Sequence, residues 1–509
     1  MPTQRKGRSR RQIDDVISED RTVTTVESEI VKAPEPAMRQ RHTRIIATLG
    51  PACASPEQIG ELICAGTDIF RINASHADVE TQAHYIEMVR ESSSDCDAHI
   101  GILLDLQGPK IRLGVFQGGS ICLRKDESFW ITTQEMVGTE AEVSTTYRNF
   151  ASDVRAGDRV LLADGAVELA VLQGDGTRTE CRVVRGGVIS DHQGINLPGT
   201  QLSAPSLTDK DRDDLEAGIR QHVDMIAMSF VRSAADIIDL RENLEQKSVT
   251  LPIIAKIERP EAWQRIDEIV SVCDGVMVAR GDLGVEMSME QVPHIQKTVI
   301  EKARQQNRFV ITATQMLESM IHSPVPTRAE VSDITNAIYD GTDALMLSGE
   351  TARGKYPADA VRTMSEIASV AELHSPRYQS QIADKNRITY AEVLADAACR
   401  VANGGEVEAI VVFTVTGRTA HLIAARRPIM PILAFASTES VARQLSAWYG
   451  VIALLAPSFQ TLEQMTEYMD REIRERSWVR PGSHILFVAG DRVGKSGATN
   501  MLKVHTVSG

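Results

Sequence analysis

Residues 252–282 read PIIAKIERPEAWQRIDEIVSVCDGVMVARGD. Two aliphatic runs, PIIAKIE at 252–258 and DGVMVAR at 274–280, bracket a segment long enough for a crossover helix. Each run is nearly continuous in apolar character, the signature of a strand buried on both faces of a parallel sheet. Working outward, the same unit recurs. RIIATLG at 44–50, IFRINAS at 69–75, IGILLDL at 100–106 and DMIAMSFV at 224–231 precede it, and FVITATQ at 309–315 and DALMLSGE at 343–350 follow it. Eight such runs in succession predict an α/β fold of the TIM (β/α)8 barrel type, which keeps its chemistry at the C-terminal ends of the strands. The polar residues gather at those ends: Arg71 and Asn73, Asp105, Lys256 and Glu258, Arg280 with Asp282, Thr314, Ser348 and Glu350.

Between the third and fourth runs the chain is far longer than one crossover helix requires, so a domain is inserted there. Stretches such as RVLLADGAVELAVL and TECRVVRGGVIS predict a small β-barrel, overhanging the active face as a lid. After the last run, SPRYQSQIADKNRI at 375–388 reads as a polar linker. AIVVFTV, PILAFAS, VIALLAP and HILFVAG then alternate with helical stretches, giving a separate C-terminal α/β domain. The expected division is a disordered polar tail at 1–41, the barrel at 42–107 and 207–374, the lid at 108–206 and the C-terminal α/β effector domain at 388–509. A length of 509 residues supports about three domains.

Composition excludes several classes. Hydrophobic residues make up 42% and charged residues 24%, which rules out disorder for most of the chain. No stretch approaches the roughly 18 apolar residues of a bilayer helix, and no apolar run opens the chain as a signal peptide would, so the expectation is a cytoplasmic protein without a membrane partner. Seven cysteines without a CxxC pair fit reduced thiols rather than a disulfide framework or a zinc site. The formal net charge of -14 argues against a nucleic-acid partner, and an anionic substrate needs local positive charge or a metal.

Lys256 and Glu258 stand two apart on one predicted strand and share a face, as an ion pair or as part of a site. Asp282, ending the next unit, favours the site: two carboxylates plus water and substrate oxygens suit Mg²⁺ (Mn²⁺ possible), with the lysine beside a transferring phosphoryl group. RGDLGVE reads as a turn entering a short helix whose free N–H groups suit a substrate carboxylate. RINASH at 71–76 sets Arg71, Asn73 and Ser75 on one face, suited to phosphate and cation ligation and equally to strand-end hydrogen bonding. Thr327 and Glu330 have capping-box spacing, and Gly341 that of a C-cap. HILFVAG followed by DRVGKSG approaches a phosphate loop but has alanine at 489 where glycine is needed. Thr414, Thr416, Gly417, Arg418 and Thr419, between a strand and a helix, form a hydroxyl-rich loop suited to a phosphorylated effector, with an ordinary surface turn as the alternative.

The blocks RINASH, LLDLQGPKIRLG, IIAKIERPEA, VMVARGDLGVE, ITATQMLESM, PTRAEVSD and DALMLSGETARGKYP, in this order, resemble the pyruvate kinase family from about residue 42 to the end. The resemblance implies a TIM barrel with a β-barrel lid and a C-terminal α/β domain, usually as a homotetramer. It implies phosphoryl transfer from phosphoenolpyruvate to ADP, giving ATP and pyruvate in glycolysis under allosteric control. Carried over by position, Glu258 and Asp282 hold Mg²⁺, Lys256 and Arg71 meet the phosphoryl group, and the N–H groups at Gly281 and Asp282 take the carboxylate. Thr314 sits by the enolate carbon, with Ser348 and Glu350 in the network that protonates it. Asn73, His76 and Arg112 reach the nucleotide phosphates, where a second Mg²⁺ is expected with ADP.

Many members of that family hold K⁺ on residues matching Asn73, Ser75, Asp105 and a threonine, with a glutamate in the following turn. Here those last two positions are Leu106 and Lys110. That resembles the branch in which a lysine ammonium replaces the ion, and a fixed positive charge there removes the need for K⁺. In the lid, Ala163 with Asp164 stands where two aspartates are common, and Gln193 where a lysine is. The competing readings are a Mg²⁺-dependent enolpyruvate lyase or aldolase and a regulatory homologue without turnover.

Overall fold

A computed structural model describes residues 41–375, 389–490, 497 and 499–509. The expected tail before residue 41, the linker from 376 and the DRVGKS part of the glycine-rich loop lie outside the described residues. Arg41, the last residue assigned to that tail, belongs to the folded part. Arg41 is buried, and its guanidinium pairs with Asp68 at 2.9 Å.

Eight parallel strands close into a barrel: β1 (Arg44–Thr48), β2 (Ile69–Asn73), β3 (Gly101–Asp105), β4 (Met225–Met228), β5 (Ile253–Ile257), β6 (Gly275–Ala279), β7 (Phe309–Ala313) and β8 (Ala344–Leu347). Each falls within one of the eight aliphatic runs. Alternation along the strands sends one set of residues outward to the helices and the other into the lumen. Ile46, Ile69, Leu103, Ile254, Met277, Phe309, Ile311 and Met346 fill the lumen as one apolar cluster. Continuing in steps of two carries these stripes to Arg71 and Asn73, Asp105, Lys256 and Ser348. The lumen is therefore apolar below and ionic at its mouth.

The base of the barrel has a repeating device. Asp68, Asp224, Asp274 and Asp343 each stand one residue before an even-numbered strand. Their carboxylates accept the N–H of Ile45, Ile102, Ile253 and Val310 on the preceding odd-numbered strands at 2.8–2.9 Å. Each carboxylate also pairs with an arginine, two of which, Arg443 on Asp224 and Arg427 on Asp343, come from the C-terminal domain. Trp448 of that domain meets Phe309 of the lumen edge-to-face at 5.2 Å, so the domain closes the barrel end opposite the mouth.

The inserted segment forms a six-stranded sheet and a two-stranded ribbon, Ser120–Leu123 with Gly187–Ser190, around a core of its own that includes Phe129, Phe150, Leu169 and Ile189. The C-terminal domain is a five-stranded sheet, four strands parallel and the last, Thr499–Thr506, antiparallel at one edge. Helix Arg328–Asp340 begins with the Thr327–Glu330 capping box and ends at Gly341 in the left-handed region, φ 100°.

A candidate active site at the barrel mouth

Asp105, at the end of β3, lies between two cations and is 1% exposed. Arg71 from β2 donates to it at 2.7 Å, and the Lys256 ammonium from β5 approaches within 3.2 Å. Burial alone would raise this carboxyl, but the Lys256 and Arg71 charges outweigh burial and hold it below the usual carboxylate range. Lys256 also donates to Glu258 at 2.7 Å and to the Ser229 hydroxyl at 2.7 Å, which accounts for all three of its N–H bonds. Burial opposes its charge, and Asp105, Glu258 and Asp282 together more than restore it, so its pKa is raised.

Glu258 is fixed from the other side by the backbone N–H of Phe230 at 3.0 Å. Phe230 has φ 56°, and its ring packs so closely on Gly108, φ 68°, that a Cβ there would stand 2.7 Å from it. Asp282 makes no ion pair among the described residues. Burial first, and the neighbouring Glu258 second, push it up to about 6. Two buried carboxylates that repel each other fit a hard divalent cation, which relieves that repulsion and needs only one or two carboxylates besides substrate oxygens. Among the described residues no group of three or more His, Cys, Asp and Glu converges as a closed metal cage.

Thr314 and Gln315, after β7, carry φ 68° and 53° in succession. A left-handed β-branched residue costs about 1–3 kcal/mol and persists only where its surroundings impose it. The Thr314 hydroxyl accepts the Gly281 N–H at 2.8 Å, so that expected carboxylate donor already has an acceptor. Glu350 is fully buried and accepts the N–H of Leu317 at 3.0 Å and of Ser348 at 2.8 Å; burial raises its pKa. It therefore braces the ends of β7 and β8, while the Ser348 Oγ has no hydrogen-bond partner among the described residues.

The nucleotide-side candidates line the approach from the lid. Asn73 Oδ1 accepts the Ser75 N–H at 3.1 Å, and Arg112 donates to the His192 carbonyl at 2.9 Å. Burial and then the Lys110, Arg71 and Arg112 charges hold the His76 imidazole below its ordinary value. Lys110 is lowered by burial and by Arg112, against the pull of Asp282, and Lys256 adds further repulsion. The lid covers this group: Asn196 donates to Glu286 at 3.1 Å, and a Cβ on Gly165 would stand 3.8 Å from Val285. Ala163 and Asp164, φ 51° and 50°, form the same turn.

Three members of this constellation escaped the sequence reading. Ser229 and Phe230 end DMIAMSFV, a run valued there only for its apolar character. Lys210, from helix Asp209–Arg220, donates to the Ala74 carbonyl at 2.8 Å and holds the RINASH turn. A polar residue at the end of β4, matching those on the other strands, was the available signal for Ser229.

In the C-terminal domain, the Thr414 hydroxyl accepts the Gly417 N–H at 2.9 Å, and Gly417 takes φ 79° to enter helix Arg418–Ala424. Thr414, Thr416, Arg418 and Thr419 face a cavity of about 590 Å³ whose other wall includes Phe413 and Phe459.

Comparison with known proteins agrees with this geometry. The family model described as pyruvate kinase, barrel domain, matches residues 40–361, and that described as pyruvate kinase, alpha/beta domain, matches residues 392–505. A pyruvate kinase of Geobacillus stearothermophilus is 42% identical over 475 residues, covering 92% of this chain and 81% of its own. One of Mycobacterium tuberculosis is 41% identical over 476 residues, covering 92% and 98%. The crystal structure of a pyruvate kinase from Cryptosporidium parvum superposes with a TM-score of 0.85 at 34% identity, over 93% of this chain and 98% of that one.

Proposed function

The chain belongs to the pyruvate kinase family, and from that premise we propose how its own residues move the phosphoryl group and why they do so without K⁺. It is a phosphotransferase: phosphoenolpyruvate and ADP enter, and pyruvate and ATP leave. The family works with Mg²⁺, which Glu258 and Asp282 would hold and which supplies positive charge to the phosphoryl and enolate oxygens when bound.

Lys256 and Arg71 meet the transferring phosphoryl group. Their charges are preorganised on Asp105, so little reorganisation is needed as negative charge develops. An entering phosphoryl oxygen takes over an N–H that Lys256 now gives to a carboxylate. The P–O bond of phosphoenolpyruvate breaks, its electron pair stays on the enolate oxygen, and a terminal oxygen of ADP bonds to phosphorus. Carbon 3 of the enolate then takes a proton from solvent water led in beside Thr314 and Ser348, the latter held in place by Glu350. The N–H groups of the RGDLG turn at Gly281 and Asp282 orient the carboxylate, the first by exchanging its Thr314 acceptor for substrate. Asn73, neutral His76 and Arg112 receive the nucleotide phosphates under the lid.

Lys110 stands in for the monovalent cation. Asn73 and Asp105 already accept donors from within the protein, and the Lys110 ammonium adds a fixed charge beside Lys256 and Asp282, which supports K⁺ independence. The cavity at Thr414–Thr419 takes a phosphorylated allosteric effector, its phosphate on the hydroxyls and Arg418. The assembly is a homotetramer working in the cytoplasm. No helix of the described residues is long and apolar enough to cross a membrane.

The observation that carries this reading is the saturated Lys256 ammonium beside Asp105, Glu258 and Asp282. Lys256→Met is expected to lower kcat for pyruvate formation by roughly a hundredfold or more, with the KM for phosphoenolpyruvate far less affected. A variant that turned over at the wild-type rate would contradict it.

A further inference from the structure

We infer that Arg280 is a positioning residue for the protonation half of the reaction, acting through the left-handed Thr314–Gln315 pair. The guanidinium is 9% exposed and lies at the start of helix Arg280–Glu286, directly after β6. Its Nη2 donates to the Thr314 carbonyl at 2.7 Å and to the Gln315 carbonyl at 3.2 Å. Its Nε adds a second contact to Thr314 O at 3.3 Å. The remaining edge is held by Asp333, 2.6 Å from Nη1, on helix Arg328–Asp340, with Gln296 at 3.5 Å. Two consecutive carbonyls turned toward one cation are what a pair of residues at φ 68° and 53° presents. The fork thus fixes the conformation that aims the Thr314 hydroxyl at Gly281 and the mouth of the site. This also gives PTRAEVSD a role beyond its capping box: it carries Asp333, which anchors the far edge of the fork.

Lysine cannot replace the fork. An ammonium is a point donor on a flexible stem, whereas the guanidinium holds two carbonyls and a carboxylate at once. Loss of the fork leaves Lys256, Arg71 and Glu258, which end other strands, in place, so phosphoryl transfer and protonation respond differently. Phosphoryl transfer leaves the electron pair of the broken bond on the enolate oxygen. Without an aimed proton source at carbon 3, that oxygen takes a proton from water and the product leaves as enolpyruvate, which becomes pyruvate in solution.

The inference rests on the assignment of Thr314 to the enolate carbon, and the experiment separates the two. Exchange of the pyruvate methyl protons with D₂O, in the presence of Mg²⁺ and ATP, is followed by NMR for wild type, Arg280→Lys, Asp333→Asn and Thr314→Val. ATP formation from phosphoenolpyruvate and ADP is measured on the same proteins. Arg280→Lys is expected to lose about a hundredfold in exchange, the scale of a misplacement near 1 Å, while ATP formation falls much less and enolpyruvate accumulates. Asp333→Asn shifts the same ratio in the same direction by a smaller factor. If Arg280→Lys fails to fold by circular dichroism, the Asp333→Asn ratio decides alone. Exchange and ATP formation falling by equal factors, or neither falling, would overturn the inference and leave Arg280 as structural support. Exchange unaffected by Thr314→Val would remove the Thr314 assignment and the inference with it, whereas loss of exchange in Thr314→Val but not in the arginine and aspartate variants would remove the inference alone.

Discussion

Lys256 shows what one sequence can and cannot disclose at the scale of a residue. Its shared face with Glu258 follows from the period of a strand, and the lumen stripe through Ile254 carries both to the mouth. The Ser229 hydroxyl, which donates to the Leu106 carbonyl at 2.7 Å while accepting from Lys256, depends on three strands meeting and has no local signature. Phe230 is similar: its left-handed backbone is imposed by the ring packing on Gly108 and by the Glu258 carboxylate, neither of them near in sequence. Lys110 was legible as a charge at a position where the resemblance expects the opposite one. Lys110→Glu reverses that charge and restores a site for a cation. Its turnover is expected to depend on K⁺, rising by about tenfold or more when K⁺ replaces tetramethylammonium, since one charge reversal near the site is worth at least 1.4 kcal/mol at an effective dielectric constant near 20. A variant as indifferent to K⁺ as the wild type would contradict the lysine-for-cation account.

Among elements, the eight strands were readable because parallel strands buried on both faces leave unbroken aliphatic runs. The repeat of an aspartate before each even-numbered strand was visible at the head of those runs, in TDIF, VDMI, CDGV and TDAL. It has meaning only once the adjacent odd-numbered strand supplies the N–H that each carboxylate accepts. The short lid strands, half exposed and irregular, gave a domain and its β character without its pairing. Thr414–Thr419 was legible as a strand-to-helix loop, whereas its opposite wall, Phe459, comes from a distant segment. Arg418→Gln removes the cation at that loop. Binding of a sugar phosphate or of AMP, whichever the wild type takes up in calorimetry, is expected to weaken by about tenfold, the loss of one charge-assisted hydrogen bond. Unchanged affinity would place the phosphate elsewhere.

Across the whole molecule, the barrel divides its labour between two ends. Asp68, Asp224, Asp274 and Asp343 bind strand ends and arginines at the base, where Trp448 closes the lumen, while Asp105, Glu258 and Asp282 gather at the mouth under the lid. The same residue type serves opposite purposes because the base pairs its carboxylates fully and the mouth leaves Asp282 short of a cation. The docking of the C-terminal domain on the base was beyond sequence reading, since Arg427 and Arg443 look like any other surface arginines until Asp343 and Asp224 lie opposite them. The central claim is a phosphotransferase whose own ammonium replaces the monovalent ion. Its most direct test is the rate of pyruvate formation from phosphoenolpyruvate and ADP with Mg²⁺, in tetramethylammonium buffer with and without K⁺, on the wild-type protein. The account predicts the same high rate in both buffers. Turnover that appears only when K⁺ is added would contradict it.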